Sequence, residues 1–203
     1  MKPILFLDVD GVLLDFETSF IDFFRSKHPG RIPQDYEWIH WNLEKDFPDV
    51  DIQALAMEHL QSESFGNMES LVTRHEYLET LFYVEHIHLV TNIPEFAIEK
   101  RAENLKNHGI RFTTLNKGGF YNFGEENYPT KMDAIHTVIK EYNYRLDKDR
   151  FLFLDDSQHN CTDIKEEFPL FEVYLRSRKH NEGVPYDSRY KRVRDWNQFS
   201  SRI

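Results

Sequence analysis

Two short apolar runs in this chain each end in a pair of acids. Ile4-Leu5-Phe6-Leu7 leads into Asp8-Val9-Asp10-Gly11, and Phe151-Leu152-Phe153-Leu154 leads into Asp155-Asp156. A four-residue apolar run that stops abruptly in charge is the pattern of a strand buried on both faces of a parallel sheet. Such sheets bind ligands beyond the carboxyl ends of their strands, so the residues just past each run are the ones placed for chemistry. A third run over 86–91 delivers Thr91 and Asn92 to the same level. If the three strand ends adjoin, four carboxylates gather around one point. Like charges that close do not all stay ionised unless a cation neutralises them. Oxygen donors alone favour a hard ion, and Mg2+ in particular where phosphate is the other ligand. An isolated Asp-x-Asp-Gly is commonly just a turn after a strand. Two acid clusters on two separate buried runs are a far stronger signal.

The elements that must position these groups alternate along the chain. Phe16, Phe20, Phe23 and Phe24 repeat at helical spacing over 15–27. The stretch 28–49 is rich in Pro, Trp and acids and has no clear period, and helical patterns return over 52–61 and 68–83. Beyond the strand at 86–91, the spacing predicts a helix over 94–108, with Pro94 at its start and Gly109 just past its end. A strand over 110–115 and a glycine-containing loop over 117–129 follow. Thr130-Lys131-Met132-Asp133 reads as a capped helix start, and 171–175 as a last strand. Strands alternating with helices imply an α/β fold, a three-layer doubly wound parallel sheet of Rossmann type. Only helical patterns lie between the first two strands. We therefore expect residues 16–82 to form a small inserted helical cap, and residues 1–15 and 83–203 the core.

Composition narrows the partners. The 203 residues carry 25 Lys and Arg against 35 Asp and Glu, a net charge of -10, which disfavours nonspecific association with nucleic acid or anionic membrane. Aromatic residues at 15% argue against disorder. The single cysteine, Cys161, excludes an internal disulfide and any zinc site built on several cysteines. No apolar stretch approaches the roughly 20 residues of a membrane span, nor is there a signal-peptide core, so the expected compartment is the cytoplasm. Charge is uneven: residues 176–203 hold eight Lys or Arg against three acids. That segment either packs on the acidic body or steers phosphorylated substrates.

Asp8-Val9-Asp10-Gly11-Val12, then Thr91, Lys131 and Asp155-Asp156, resemble in order and spacing the four motifs of the haloacid dehalogenase superfamily. The resemblance implies that Asp8 is a nucleophile and Asp10 a general acid/base. It implies that Thr91, Asn92 and Lys131 hold the transferred phosphoryl group. Mg2+ would be bound by Asp8, Asp155 and the backbone carbonyl of Asp10, with Asp156 in support. Members that cleave carbon–halogen bonds usually lack the second acid, and transport ATPases carry Lys-Thr after the nucleophile. This chain has neither pattern, so the expectation is phosphate ester hydrolysis through an aspartyl-phosphate. The stretch from Asp8 to Glu17, continuing to Phe24-Arg25 and Pro29, is similar to the 5'(3')-deoxyribonucleotidases, with a fainter likeness at His180-Asn181 and Asp195-Trp196. That similarity makes Phe16 a candidate for a nucleobase pocket and a nucleoside monophosphate the expected substrate. The segments 117–130 and most of the cap depart from the pattern, which leaves small sugar or organic-acid phosphates as the alternative. A non-catalytic phospho-ligand binding protein and a phosphatase of nucleic-acid ends are further readings.

Several other residues admit two readings. Trp38 and Trp41 either stack on a base or form cap core. His86 and His88 share one side of a strand but lack further metal ligands. Asn160 is placed to orient Asp156 or Lys131, whereas His159 is expected to cap its helix or face solvent. Cys161 has no matched base and is expected to be buried.

Overall fold

A computed structural model describes residues 2–40, 42–119 and 121–203. Its six strands are β1 (Ile4–Leu7), β2 (His86–Thr91), β3 (Thr114–Lys117), β4 (Phe151–Asp155), β5 (Glu172–Arg176) and β6 (Lys191–Val193). They form one all-parallel sheet in the order β3-β2-β1-β4-β5-β6. Strand order reverses between β1 and β4, which places the ligand crevice of an open parallel sheet there. Leu7 pairs with Leu89 on one side and with Leu154 on the other, so Asp8 and Asp155 emerge side by side at that crevice.

Both faces of the sheet are covered, which explains why its strands read as unbroken apolar runs. Leu5 and Leu7 point into one buried cluster, and Ile4 and Phe6 into another. The first face is covered by α4 (Arg74–Thr80), α5 (Ile98–Asn107) and α8 (Trp196–Ser200), through Tyr77, Leu105, Trp196 and Phe199. The second is covered by α6 (Lys131–Glu141) and α7 (Gln158–Glu167), through Ile135, Val138, Cys161 and Ile164. Helix starts follow local hydrogen bonding. Asp15 caps α1 (Phe16–Lys27) by accepting from Thr18 N, Asp51 caps α2 (Ile52–Gln61) through Ala54 N, and Thr130 and Asp133 form a reciprocal capping box on α6. With α3 (Glu63–Gly66), α1 and α2 lie between β1 and β2 in sequence, and Phe20, Phe23, Phe24, Phe47 and Leu55 build a third apolar cluster of their own. None of the helices among the described residues is long and apolar enough to cross a membrane.

The structure corrects three sequence expectations. The helix expected over 68–83 exists only as α4, because the Thr73–Glu76 capping box starts it late. Met68 and Val72 are buried in a non-helical segment instead, where Ser70 forms a bridge with Leu14. The strand expected over 110–115 is β3: Ile110 is buried by closing the end of α5, its N–H donating to Leu105 O, and pairing with β2 begins at Thr114. The last strands are two, since β6 adds an edge that the sequence pattern did not mark. The basic C-terminal segment packs on the acidic body. Arg178 pairs with Asp15 at 3.1 Å and Glu17 at 2.6 Å, and the buried Arg176 donates to the Val12 carbonyl.

Candidate active site

The turn after β1 builds the floor of a cavity. Val12, Leu13 and Leu14 all donate their N–H groups to Val9 O, and Gly11 takes a positive φ of 71° to allow the bend. A Cβ at Gly11 would lie 1.9 Å from Asp156 Oδ2, so only glycine lets the two acid pairs come together here. Asp8 Oδ1 accepts from Val9 N at 2.8 Å. The Lys131 ammonium, on the first residue of α6, bridges Asp8 at 2.9 Å and Asp155 at 2.7 Å. Asp155 is fully buried and further held by Ser157 N and both-oxygen contacts from Asn160 Nδ2 at 3.1 and 3.2 Å. Asn160 therefore orients Asp155, and not Asp156 or Lys131 as expected, because α7 turns its side chain back onto the end of β4. Asp156 is fixed through its backbone, its carbonyl accepting from Asn181 Nδ2 at 2.8 Å, while its carboxylate faces the cavity.

Oxygens of Asp8, Asp155 and Asp156 all lie within 4.8 Å of one another, and all three residues are buried. Burial, reinforced by this crowding, raises two of these carboxyls, Asp8 and Asp156. Burial pushes the Asp8 carboxyl up to about 7, opposed by Lys131 and reinforced by Asp155 and Asp10. Burial, with Asp155 and Asp8 beside it, drives Asp156 well above the usual carboxylate range. Burial pushes Lys131 down, yet Asp155 and Asp8 outweigh it and keep the ammonium charged. Three buried oxygen donors with excess negative charge fit a hard divalent cation.

Asp10 stands apart. Its carboxylate is turned toward Arg101, whose Nη2 donates to Oδ1 at 2.7 Å, so the side chain is not part of the three-carboxylate group. Burial raises the Asp10 carboxyl, and Arg101 opposes that rise. Thr91 ends β2 fully buried, and Asn92 follows it into the cavity wall with its Oδ1 buried and without a hydrogen-bond partner among the described residues. Gly119 closes over Asn92, since a Cβ there would come within 2.3 Å of Asn92 Cγ.

Above this floor lies a cavity of about 290 Å3 with Asp8, Asp10, Lys131 and Asp156 at one end. Its roof is aromatic and apolar: Phe16, Trp38, Ala56 and Leu60 from the segments between β1 and β2, and Tyr121 and Phe123 from the loop before α6. Phe16 stacks on Phe20 at 5.7 Å and also lines the cavity. Trp38 lies 6.2 Å from Phe16, and its Nε1 is buried without a hydrogen-bond partner among the described residues. Trp41 lies outside the described residues. Tyr121 reaches across to donate to Gln53 Oε1 on α2 at 3.2 Å. One side wall is polar, where His180 contacts Glu17 at 2.6 Å.

Sequence reasoning did not find Arg101, His59, Glu17, Tyr121 or Phe123. Arg101 does leave a trace, sitting between Ile98 and Leu105 on the stripe that α5 buries, where an apolar residue is expected. His59 is buried against Phe16, Phe20, Phe23 and Phe65, and burial holds its imidazole neutral, down at about 4. Other candidates do not line this cavity. His88 bonds Thr114 and Tyr144, His159 pairs with Asp163 at 3.3 Å, and Cys161 is buried with its thiol pushed up by burial.

No family model matches the chain, and no curated protein matches it in sequence. Solved structures do match in fold. A haloacid dehalogenase-like hydrolase from Streptococcus pneumoniae superposes with a TM-score of 0.63 at 13% identity, over 100% of this chain and 99% of that one. L-2-haloacid dehalogenase from Xanthobacter autotrophicus, with chloropropionic acid covalently bound, gives 0.64 at 12% identity over 99% and 98%. CbbY from Rhodobacter sphaeroides, in complex with phosphate, gives 0.62 at 12% identity over 98% and 96%. The chain thus has the α/β fold of haloacid dehalogenase-superfamily hydrolases.

Proposed function

We propose that the protein is a Mg2+-dependent phosphate monoester hydrolase that works through phosphorylated Asp8, with a nucleoside monophosphate as substrate. One observation carries the chemistry: a buried ammonium, Lys131, bridges the carboxylates of Asp8 and Asp155 at the charged end of the cavity. In-line attack on phosphorus asks mainly for positioning and charge neutralisation, which lets a weak carboxylate nucleophile suffice. Asp8, Asp155 and Asp156 would hold Mg2+, which when bound supplies further neutralisation of the phosphoryl oxygens. Lys131, Thr91 and Asn92 would hold the phosphoryl group.

An Asp8 oxygen forms a bond to phosphorus while the ester P–O bond breaks, and Asp10 gives its proton to the departing alkoxide. Asp10, now a base, takes a proton from water as the water oxygen attacks phosphorus. The aspartyl P–O bond breaks, releasing phosphate and restoring Asp8. Residues 16–82 would act as a cap that limits water during the first step.

The substrate class rests on the roof. Phe16, Trp38, Tyr121 and Phe123 offer ring faces or edges suited to a planar base, and the unpartnered Trp38 Nε1 is a donor for a base or sugar oxygen. Phosphate release is the test, measured with and without Mg2+ across nucleoside 5'- and 3'-monophosphates, sugar phosphates and 4-nitrophenyl phosphate, with Asp8→Asn as the blank. Mg2+-dependent release that favours nucleotides is expected. Release from sugar phosphates alone would keep the chemistry and discard the nucleotide; no release from any ester would sink both.

A further inference from the structure

Arg101 has a role beyond filling the stripe that α5 buries. It is 0% exposed, its Nη2 holds Asp10 Oδ1 at 2.7 Å, and its Nε and Nη1 have no hydrogen-bond partner among the described residues. Taking a guanidinium out of water is costly, and one contact with a carboxylate returns only part of that cost. An apolar residue of similar length would serve the core better. The placement instead favours control of Asp10. The guanidinium lies 4.1 Å from the centre of the Phe65 ring on α3, which fixes its plane. Its seat is itself tied down, since Asn104 on the same helix and His108 at its C-terminal cap both bond Met68 O, at 3.1 and 2.8 Å.

Resting on the hydrolase reading above, we infer that Arg101 is a positioning residue for proton transfer by Asp10. Asp8, Asp155 and Asp156 are each held at the cavity floor, with Lys131 between the first two. Asp10 needs a different orientation, because its proton must reach the ester oxygen on the far side of phosphorus from Asp8. Arg101 pins one carboxyl oxygen and so sets the direction of the carboxyl group. Phe65 makes this hold depend on the segment that joins the cap to the core.

Leaving-group dependence tests this, because a merely structural residue has no reason to distinguish esters. Leaving-group release in the first turnover would be followed in Arg101→Met with Mg2+ present, on two substrates. One is 4-nitrophenyl phosphate, whose phenolate departs without a proton. The other is the faster of uridine 5'-monophosphate and glycerol 2-phosphate, whose alkoxides need one. The expected loss is about 10²-fold on the alkyl ester and only a few-fold on the aryl ester. Arg101→Lys, which keeps a charge and a donor, is expected to fall between and serves alone if Arg101→Met does not fold. Phe65→Leu should shift selectivity the same way, by less. Equal loss on both esters, or none on either, in a variant of an active wild type overturns this inference alone. A wild type that cleaves neither ester overturns it together with the hydrolase reading.

Discussion

The floor and the roof of the cavity are made in opposite ways. The floor is charge on strand ends: Asp8 and Asp155 stand side by side because β1 and β4 pair in register, and Lys131 joins them from a capped helix start. The roof is aromatic surface brought by segments with little regular structure, notably Trp38 from 28–49 and Tyr121 and Phe123 from the loop before α6. Backbone pairing holds direction tightly, as the proposed displacement at phosphorus would require. Side-chain stacking tolerates variation, as selection among substrates allows. Damage to the floor should therefore show in turnover and stability, and damage to the roof in substrate preference.

Asp8→Asn should break the floor's function with the largest effect, lowering phosphate release by at least about 10³-fold. It should leave stability unchanged or raised at pH 8 without Mg2+, since it removes one of three crowded buried carboxylates. Phosphate release and chemical denaturation on the same samples check both halves; an active or unfolded variant would contradict the assignment. In the wild type the Asp8 carboxyl, raised to about 7 from 3.8, makes the Mg2+-free fold lose stability as pH rises between those values, because the folded state binds the extra proton. Mg2+ should consequently stabilise more at pH 8 than at pH 5.

Lys131→Met should break the floor the other way. Removing the ammonium leaves Asp8 and Asp155 buried without their common partner, which costs about 3–5 kcal/mol by analogy with broken buried ion pairs. Denaturant midpoints at pH 7 without Mg2+ would show it. Loss of activity with full stability would mean that the ammonium serves substrate alone.

Trp38→Ala addresses the roof. If a base stacks there, KM for nucleoside monophosphates should rise by about 5–150-fold, the equivalent of about 1–3 kcal/mol, with kcat nearly unchanged. KM for a sugar phosphate should not move. A matching rise for both substrates would assign Trp38 to cap packing.

The same contrast explains what could be read from the sequence. The floor was legible because a buried parallel strand and its terminal acids are local patterns, and Asp8, Asp10, Asp155 and Asp156 stand directly after theirs. Phe16 was legible because α1 is periodic. Tyr121, Phe123 and the position of Trp38 were not, because their segments have no period and are placed by contacts such as Tyr121 to Gln53. Arg101 needed tertiary information as well: its partner Asp10 is 91 residues away in sequence. The false helix over 68–73 has the same root, since Met68 and Val72 were apolar for burial in a non-helical segment and not for a helical face.

The smallest effect separates floor from roof by sign. His59 sits beneath the roof, fully buried among aromatic rings, with Nε2 2.9 Å from Ser19 Oγ and Nδ1 without a hydrogen-bond partner among the described residues. Its imidazole is lowered to about 4, against 6.5 when unfolded. Between those values the unfolded chain takes up a proton that the folded one refuses, so the stability contributed by neutral His59 is complete above 6.5 and is lost as pH falls toward 4. This is opposite to the Asp8 contribution, which declines as pH rises. His88, also buried and lowered to about 4, adds to the His59 limb, so a single variant removes only part of it. The quantity to follow is the stability of His59→Gln minus that of wild type, in which other titrating groups largely cancel. It should shift in favour of the variant between pH 7 and pH 5 by up to about 1 kcal/mol per pH unit below 6.5. A flat difference would mean that His59 is charged in the folded state or reached by water there, and either would make the roof a wetter and looser surface than its packing implies.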